Sequence, residues 1–409
     1  MSFLKKKISV YWMLPVLLLS VLITFMTTDV IMKVQAHLDQ NNAYLESTYT
    51  DDPTFAYVKQ LFEQNFIGEA PEFDSSGAVD SLIREYLAAS GDRWANYMNA
   101  EEYKAYADSM QGDMVGIGVQ VTYDTESKSI EILLVMPDSP AEKIGIKIGD
   151  RIVGVDGKRV SDMGYNAVVD AIKGEAGTEV KLTVLRDGKE IELIATRDHV
   201  TALSVIYQLL SDKKTGFIRI LEFNGTTAQQ FNQAVDDLLK KGAKQFVFDL
   251  RNNPGGQLDS VLSVLDRIMP KDKVLIRVYD AEKNEEIHSS KDDEQLDCPM
   301  VILINGSTAS AAELFTSCLR DYEKATVVGE KSFGKGCMQF LYTLPNGGAV
   351  SFTTRLYSPP LGENYDGVGI VPHVEATLSE EAQKINFYKL NETNDDQLKA
   401  ALDVLGGLK

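Results

Sequence analysis

The sequence predicts a multidomain chain of mixed α/β and α+β class, and three observations lead to this prediction. An apolar run without charge lies near the N-terminus, short strands occupy the segment from Val115 to Asp198, and strands alternate with helices beyond Thr201. The chain has 409 residues, of which 44% are hydrophobic. This length provides for two or three domains of ordinary size, each with a buried core.

The composition limits the possible partners. Acidic residues outnumber basic ones by 60 to 41, and the formal net charge is -19. A chain this acidic repels phosphate backbones, so we expect no nucleic-acid partner. The three cysteines, Cys298, Cys318 and Cys337, lie in apolar segments without ligand or disulfide spacing, and we interpret them as small buried side chains.

The first element is a predicted membrane anchor in residues 1–28. No charged side chain occurs between Ile8 and Thr28, and this run is long enough to cross a bilayer as a helix. Three consecutive lysines precede the run, which predicts a cytoplasmic N-terminus and a single-pass cell-membrane protein whose remaining residues lie outside. A cleaved signal peptide is the alternative. It is disfavoured because the run exceeds a usual signal-peptide core and no small-x-small site follows it cleanly.

The next two regions differ in their hydrophobic pattern. Residues 29–112 carry apolar side chains at helical spacing, which predicts helices that serve packing rather than chemistry. Residues 113–198 read as short strands, with one helix over 164–173 and a hairpin turn at Asp187-Gly188. We expect a compact β-rich module there.

The C-terminal half is predicted to hold the main domain. Residues 199–377 alternate buried strands with amphipathic helices, a pattern typical of an α/β core. Residues 378–409 are helical in pattern and charged, and we interpret them as a docking segment or a dimer contact.

Ser310 lies where a predicted strand passes into a helix, in the segment VILINGSTASAAELF. The free N–H groups and the positive dipole end of that helix would favour a developing oxyanion. However, Ser310 and Glu313 also fit a helix-capping box, and capping is the favoured interpretation of this segment by itself.

Lys335 lies between two glycines in the segment GEKSFGKGCMQ, ahead of a strand-like run. If the strand includes this residue, Lys335, Cys337 and Gln339 share one face. An isolated lysine is usually a solvated surface charge. Catalysis would need a buried amine, because burial lowers the lysine pKa toward that of a usable general base.

A phosphate-binding loop is a competing interpretation of the same lysine. Gly329, Gly334 and Lys335 fit the spacing G-x-x-x-x-G-K. The match fails at Gly336, where the motif requires a Ser or Thr hydroxyl, and a strand pattern follows where a helix should begin. Nucleotide binding is therefore disfavoured.

The segment FVFDLRNNPGGQLDSV is a third candidate for chemistry, because it places Gly255 and Gly256 between a strand and a helix. Two glycines there let backbone N–H groups face an anion closely, although the motif is weak alone. A Ser-His-Asp triad and a metal site receive no comparable support. None of the four histidines (His37, His199, His288 and His373) lies in a motif of either kind.

Together these three segments resemble the C-terminal processing peptidases, also called tail-specific proteases (peptidase family S41), and the resemblance extends from about Thr54 to the end of the chain. It implies that Ser310 is the nucleophile, that Lys335 is the general base and that Gln339 orients the lysine. Lys335 follows Ser310 by twenty-five positions, as in the family, which selects Ser310 over Ser307.

The resemblance also implies an α/β core of the crotonase/ClpP-like kind, with an oxyanion hole formed by amides of Ala311 and of Gly255 or Gly256. Three positions depart from the family pattern: Ala312, Cys337 and His373. None of them removes a group of the dyad. Cys337 raises the hypothesis that the site is sensitive to thiol reagents.

The β-rich module then resembles a PDZ domain. Its carboxylate-binding loop would be the segment GIGV, formed by Gly116, Ile117, Gly118 and Val119. Amides in a glycine turn can capture a terminal carboxylate while the peptide adds to a sheet edge. In the family this module recognises substrate tails and gates the protease site.

The sequence therefore predicts an anchored extracytoplasmic serine endopeptidase that recognises apolar C-terminal tails of proteins or peptides. It requires no metal or organic cofactor, and the family makes a homodimer plausible. A catalytically silent PDZ scaffold and a nucleotide-binding protein are the alternatives, and they predict tail binding without cleavage and saturable ATP binding, respectively.

Overall fold

The computed structural model describes residues 75–125, 127–293 and 295–407. The predicted membrane span and most of the predicted helical N-terminal region lie outside these residues. Among the residues that are described, no helix is both long enough and apolar enough to cross a membrane. Val79–Lys409 forms one compact unit.

The described part of the N-terminal region contains two helices and one short strand. Their bounds are α1 Ser75–Ala89, β1 Asn96–Met98 and α2 Ala100–Gln111. Asn99 and Glu102 form a reciprocal capping box at the start of α2, with both N···O distances at 2.9 Å. Sequence periodicity did not predict β1, which pairs with a distant strand of the C-terminal half.

The β-rich module is built on a six-stranded antiparallel sheet. Its strands are β3 Val119–Asp124, β4 Ser129–Val135, β5 Arg151–Val155, β6 Lys158–Arg159, β7 Glu179–Arg186 and β8 Lys189–Thr196. A separate pair consists of β2 Asp113–Gly116 and β9 Asp198–Thr201. The helices are α3 Pro140–Lys143, α4 Val160–Met163 and α5 Tyr165–Ile172.

The predicted hairpin of this module is present, and its turn explains the residues used. Arg186 pairs with Lys189, so β7 and β8 are joined by two residues. Asp187 has φ 51° and Gly188 has φ 75°. Positive φ at both positions is what a tight turn between twisted strands requires, and Asp-Gly adopts it readily.

The main domain contains a six-stranded sheet in the order β10-β11-β12-β15-β16-β19. All neighbouring strands are parallel except β10 and β11. The strands are β10 Val205–Leu209, β11 Thr215–Ile220, β12 Gln245–Asp249, β15 Met300–Ile304, β16 Thr326–Gly329 and β19 Val374–Glu375.

Helices cover both faces of this sheet. One face packs against α6 Thr227–Lys240, α7 Leu258–Asp266 and α8 Ala311–Asp321, and the other against α10 Asp396–Gly407. Phe246 and Phe248 point to the first face, whereas Val247 points to the second. Because both faces are covered, the strands read as continuous apolar runs rather than alternating ones.

A second, five-stranded sheet was not predicted as a unit. It contains β1, β13 Val274–Tyr279, β14 Glu285–Ser289, β17 Cys337–Thr343 and β18 Ala349–Ser358. Strand β17 begins at Cys337, so Lys335 lies in the preceding loop rather than on the strand. The condition under which Lys335 and Gln339 would share a strand face is therefore not met.

The tail is only partly helical. It contains the short helix α9 Glu380–Gln383, a 3-10 turn at Phe387–Lys389 and α10. A buried charge network ties α10 to the loop after β12, since Arg251 bonds both Asp249 and Asp395 at 2.7 Å. Arg219 also donates to Asp249, at 2.9 Å.

Candidate active site

A cavity of about 470 Å³ lies at the carboxyl ends of β12 and β15, beneath the start of β17. In parallel α/β sheets this edge is the usual location of a binding site. All six residues assigned to catalysis or to the oxyanion hole line the cavity: Ser310, Lys335, Gln339, Gly255, Gly256 and Ala311. The structure thus brings together residues that are separated by more than eighty positions in the sequence.

The backbone at Ser310 is strained. Its φ of 54° and ψ of -119° lie in a region that costs a residue with a side chain roughly 1–3 kcal/mol. Ser310 immediately precedes α8, and its N–H donates to Glu313 Oε2 at 2.9 Å. This geometry puts a hydroxyl at a helix N-terminus, where free amides and the helix dipole favour negative charge.

Glu313 does more than cap this helix. Its side chain is fully buried and accepts four hydrogen bonds, from Ser310 N (2.9 Å), Ser332 Oγ (2.5 Å), Gly334 N (2.7 Å) and Lys335 N (2.8 Å). One carboxylate therefore joins the turn that carries the serine to the loop that carries the lysine. The sequence indicated only the local capping interaction.

The same contacts remove the geometric basis of the phosphate-loop interpretation. The amides of Gly334 and Lys335, which would face a phosphate, are occupied by Glu313. The next amide, of Gly336, donates to Asp366 at 2.8 Å. A strand follows rather than a helix, so no helix N-terminus is available for an anion.

The glycines after β12 are required by close packing. A Cβ on Gly255 would lie 2.8 Å from Ala311 N, and a Cβ on Gly256 would lie 2.0 Å from Phe223 O. Both residues have positive φ, at 101° and 140°. Gly255 N–H already donates to Asn253 Oδ1 at 2.8 Å, which favours Gly256 over Gly255 as the second oxyanion donor.

Lys335 has a fixed backbone and a side chain held by an aromatic ring. Its carbonyl accepts a hydrogen bond from Tyr357 OH at 2.6 Å, and its N–H donates to Glu313. Its amine lies 4.1 Å from the ring centre of Trp94. Burial lowers the pKa of this amine, and Arg93 lowers it further, against the opposite influence of Cys337, Asp366 and Asp92.

Gln339 points into a polar chain beside the lysine. Its amide nitrogen donates to Thr353 Oγ1 at 3.1 Å and to Cys337 Sγ at 3.4 Å. Thr353 in turn donates to Asp92 through its N–H at 2.7 Å and its hydroxyl at 3.1 Å. In this conformation Gln339 is therefore linked to Asp92 rather than hydrogen-bonded to the Lys335 amine.

Sequence reasoning missed several residues of this site. Trp94 and Asp92 stand in a segment with no recognisable chemical motif, and Tyr357 looks like one more apolar strand residue. Their contacts join positions up to 261 apart in the chain. The only local signal was the aromatic at position 94 among polar neighbours, which is too common to be specific.

The histidines of the described chain lie outside the cavity. His373 is part of the sheet edge, where its N–H donates to Val327 O at 2.8 Å and its Nδ1 accepts from Val327 N at 2.9 Å. Within residues 75–125, 127–293 and 295–407, no group of three or more His, Cys, Asp and Glu side chains could hold a metal ion.

A second, apolar cavity of about 70 Å³ lies in the β-rich module. The four residues of the predicted carboxylate-binding loop, Gly116, Ile117, Gly118 and Val119, all line it. Val169 and Ile172 of α5 form its apolar wall, and Lys173 places a cation beside it. A Cβ on Gly118 would lie 2.3 Å from Ser139 Cβ, so glycine is required in this turn.

Two sequence profiles of known families match parts of this chain. The sequence profile of peptidase family S41 matches residues 214–376, and that of a PDZ domain matches residues 131–186. The chain is 34% identical over 341 residues to the carboxy-terminal processing protease CtpA of Bacillus subtilis. This match covers 83% of this chain and 72% of the relative. It is 31% identical over 368 residues to a carboxyl-terminal-processing protease of Picosynechococcus, with 88% and 87% covered.

Among solved structures, a candidate S41 protease of Bacteroides fragilis matches with a TM-score of 0.59 at 18% identity. The match covers 84% of this chain and 93% of that chain, and it indicates a shared fold. The sequence identity to the two relatives, with most of both chains covered, also shows the family. The chain belongs to peptidase family S41, the family of its carboxy-terminal processing relatives, and it contains a PDZ domain.

Proposed function

We propose that this chain is a membrane-anchored, extracytoplasmic serine endopeptidase that recognises C-terminal tails and cleaves peptide bonds with a Ser310–Lys335 dyad. The observation that carries the proposal is the shared cavity, which is lined both by a strained serine at a helix N-terminus and by a lysine of lowered pKa. A hydroxyl and an amine so placed are the parts needed for acyl transfer without a cofactor.

The proposed reaction proceeds through an acyl-enzyme. The uncharged Lys335 amine takes the hydroxyl proton while Ser310 Oγ forms a bond to the scissile carbonyl carbon. The C–N bond then breaks, and the lysine gives the proton to the departing amine. Water attacks the resulting ester in the same way, which releases the new carboxyl terminus and restores Ser310.

Backbone amides would stabilise the tetrahedral intermediate. Ala311 N–H is the first amide of α8, and Gly256 supplies the second from the loop after β12. Each donor fixed at the developing oxyanion typically lowers the activation barrier by about 3 kcal/mol. The close packing of Gly255 against Ser310 and Ala311 supports this arrangement, because it holds the loop against the helix N-terminus.

The Lys335 amine must move for this reaction, because it now contacts Trp94. Its four-carbon stem has rotatable bonds that allow such a movement without a change in the backbone. Gln339 is proposed to orient the amine once it leaves the ring. Its hydrogen bonds to Thr353 and Cys337 place the amide beside the lysine loop.

The PDZ cavity is proposed to bind the substrate's C-terminal residue. Its apolar lining favours an aliphatic side chain, and Lys173 favours the terminal carboxylate. The uncharged run at residues 8–28 supports anchoring with the catalytic part outside the cell membrane. Dimer formation has only the family resemblance as support.

The decisive experiment uses the purified full chain in mild detergent with an unstructured protein that ends in an apolar tail. Wild type is expected to cleave it, whereas Ser310→Ala and Lys335→Ala are expected to lose at least about 1,000-fold in rate. Ser307→Ala is the matched control, since Ser307 shares the segment but does not line the cavity. Equal cleavage by both dyad variants contradicts the proposal.

A catalytically silent scaffold is the alternative. It predicts binding of the apolar tail, measured by fluorescence anisotropy, without cleavage by wild type. A tail that ends in Asp is the matched control peptide, because the apolar PDZ cavity disfavours a second carboxylate. Cleavage that disappears in Ser310→Ala excludes the scaffold.

A further inference from the structure

The Lys335 amine is in contact with an aromatic side chain from the N-terminal region. Its Nζ lies 4.1 Å from the ring centre of Trp94, within the distance of a strong cation–π contact. Arg93 lies over the same ring, with its Cζ 4.8 Å from the centre. The ring of Phe333 packs against the indole at 5.9 Å.

The indole is fixed in place by the turn that carries it. Trp94 N–H donates to Asp92 Oδ1 at 3.0 Å, and Ala95 N–H donates to Asp92 O at 3.1 Å. The Asp92 carboxylate also accepts two hydrogen bonds from Thr353 of β18. Two residues after Trp94 the chain enters β1, which pairs with β18. The ring therefore belongs to a cavity wall with defined partners.

We propose that Trp94 is a positioning residue for Lys335, holding the amine against the cavity wall and shielding it from water until substrate enters. The inference rests on the proposed function, because it assigns a purpose to the contact only if Lys335 is the base. Trp94 contacts the lysine rather than the reacting bond, so it acts through Lys335.

The ring has two opposing effects on the amine. It displaces water, which disfavours the charged form, and its π-face attracts the ammonium, which favours that form. The charged and titratable neighbours of the amine are Arg93, Cys337, Asp366 and Asp92. Burial is the largest influence and it lowers the pKa. Because the ring covers the amine at 4.1 Å, we expect it to contribute to this burial more than it attracts the ammonium. Replacing the ring with a small side chain should therefore raise the pKa.

The first test measures the amine directly and does not require proteolysis. In the full chain carrying Ser310→Ala, trace acetic anhydride labels the free amines over a series of pH values. Mass spectrometry of the Lys335 peptide then gives the midpoint of its titration. Trp94→Ala is expected to move this midpoint to higher pH. Trp94→Phe retains a ring, so its midpoint is expected to stay close to that of the parent chain. An unchanged or lowered midpoint in Trp94→Ala overturns the inference.

A matched control separates the ring contact from general loosening of the region. Phe333→Ala removes the neighbouring ring, which contacts Trp94 and is 49% exposed. Its labelling midpoint is expected to stay at that of the parent chain. A shift as large as that of Trp94→Ala would overturn the inference, because the effect would then not depend on the lysine's own contact.

The second test uses kcat/KM as a function of pH in the chain with Ser310 intact. Trp94→Ala is expected to move the acidic limb to higher pH and to lower kcat/KM at neutral pH roughly tenfold, with partial recovery in Trp94→Phe. An acidic limb that stays in place in Trp94→Ala contradicts the inference. A labelling shift with no cleavage by wild type contradicts the proposed function and leaves the Trp94–Lys335 contact established, so the two failures are distinguishable.

Discussion

The serine side and the lysine side of the cavity differ in how they are held. On the serine side, a buried carboxylate accepts directional hydrogen bonds that fix the backbone of the turn and the neighbouring loop. On the lysine side the backbone is equally fixed, but the amine rests on an aromatic face. An aromatic contact tolerates displacement far better than a buried hydrogen bond does. The position of the proposed nucleophile is therefore preset, whereas the proposed base keeps freedom to move.

The strongest challenge to this contrast is removal of Glu313. Glu313→Ala leaves four donors without this partner, two of them buried and two partly buried, and we expect the free energy of unfolding to fall by about 3–5 kcal/mol. Urea denaturation provides the measurement. Glu363→Ala, at an exposed carboxylate, is the control and should change stability by less than about 0.5 kcal/mol. If the two variants are equally stable, Glu313 does not fix the serine side.

A smaller effect is expected at the glycine loop. Gly256→Ala places a Cβ 2.0 Å from Phe223 O in a backbone with φ 140°, and we expect a loss of about 2–3 kcal/mol together with a lower kcat. Gly406→Ala in α10 meets open space and should be neutral or slightly stabilising. Wild-type stability and kcat in Gly256→Ala would show that the loop is more adjustable than described.

The buried carboxylate of Asp249, next to the loop after β12, should make the stability of the protein depend on pH under acid conditions. Burial alone would raise the pKa of Asp249, but Arg251 and Arg219 outweigh it and lower the pKa to about 2. The unfolded carboxyl titrates near pH 4, so the stabilisation, of the order of 2 kcal/mol, is complete above that pH and is lost as the pH falls toward about 2. The free energy of unfolding, measured between pH 5 and 2, should therefore fall more steeply in wild type than in Asp249→Asn. A parallel decline in the two proteins would contradict the assignment.

The smallest effect is expected at Cys337 on the lysine side. Burial raises the pKa of its thiol, and only 3% of the residue is exposed. We expect iodoacetamide at pH 8 to leave both Cys337 and cleavage activity unchanged, because the thiolate is scarce and access is poor. Mass spectrometry before and after denaturation in urea measures the labelling. Rapid alkylation with loss of activity would support the thiol-sensitivity hypothesis instead.

Local patterns predicted much of this molecule. Periodicity and turn chemistry predicted the Asp187-Gly188 hairpin, the strands at 245–249 and 300–304 and the helices that follow these strands. The motifs indicated that Ser310 and the two glycines lie between a strand and a helix. The structure brings these residues to one cavity, since parallel strands bring their carboxyl ends together.

The missed features depend on contacts between distant segments. The five-stranded sheet joins β1 to β18, and no pattern in either strand reveals its partner. The pattern ahead of β17 left open whether Lys335 belongs to the strand. A hydrogen bond from Tyr357 to its carbonyl, and one from the next amide, of Gly336, to Asp366, hold this segment in a loop. The second oxygen of Glu313 bonds side chains and amides about twenty positions away, which a capping motif cannot indicate.

The pairing of β1 with β18 determines how the chain can be divided. The segment that supplies Trp94 precedes the PDZ domain in sequence, yet it forms part of the wall around the proposed base. A recombinant fragment that starts at the PDZ domain would keep every residue of the dyad and still lack that wall. Fragments intended for structural or kinetic work should accordingly include Trp94 and β1.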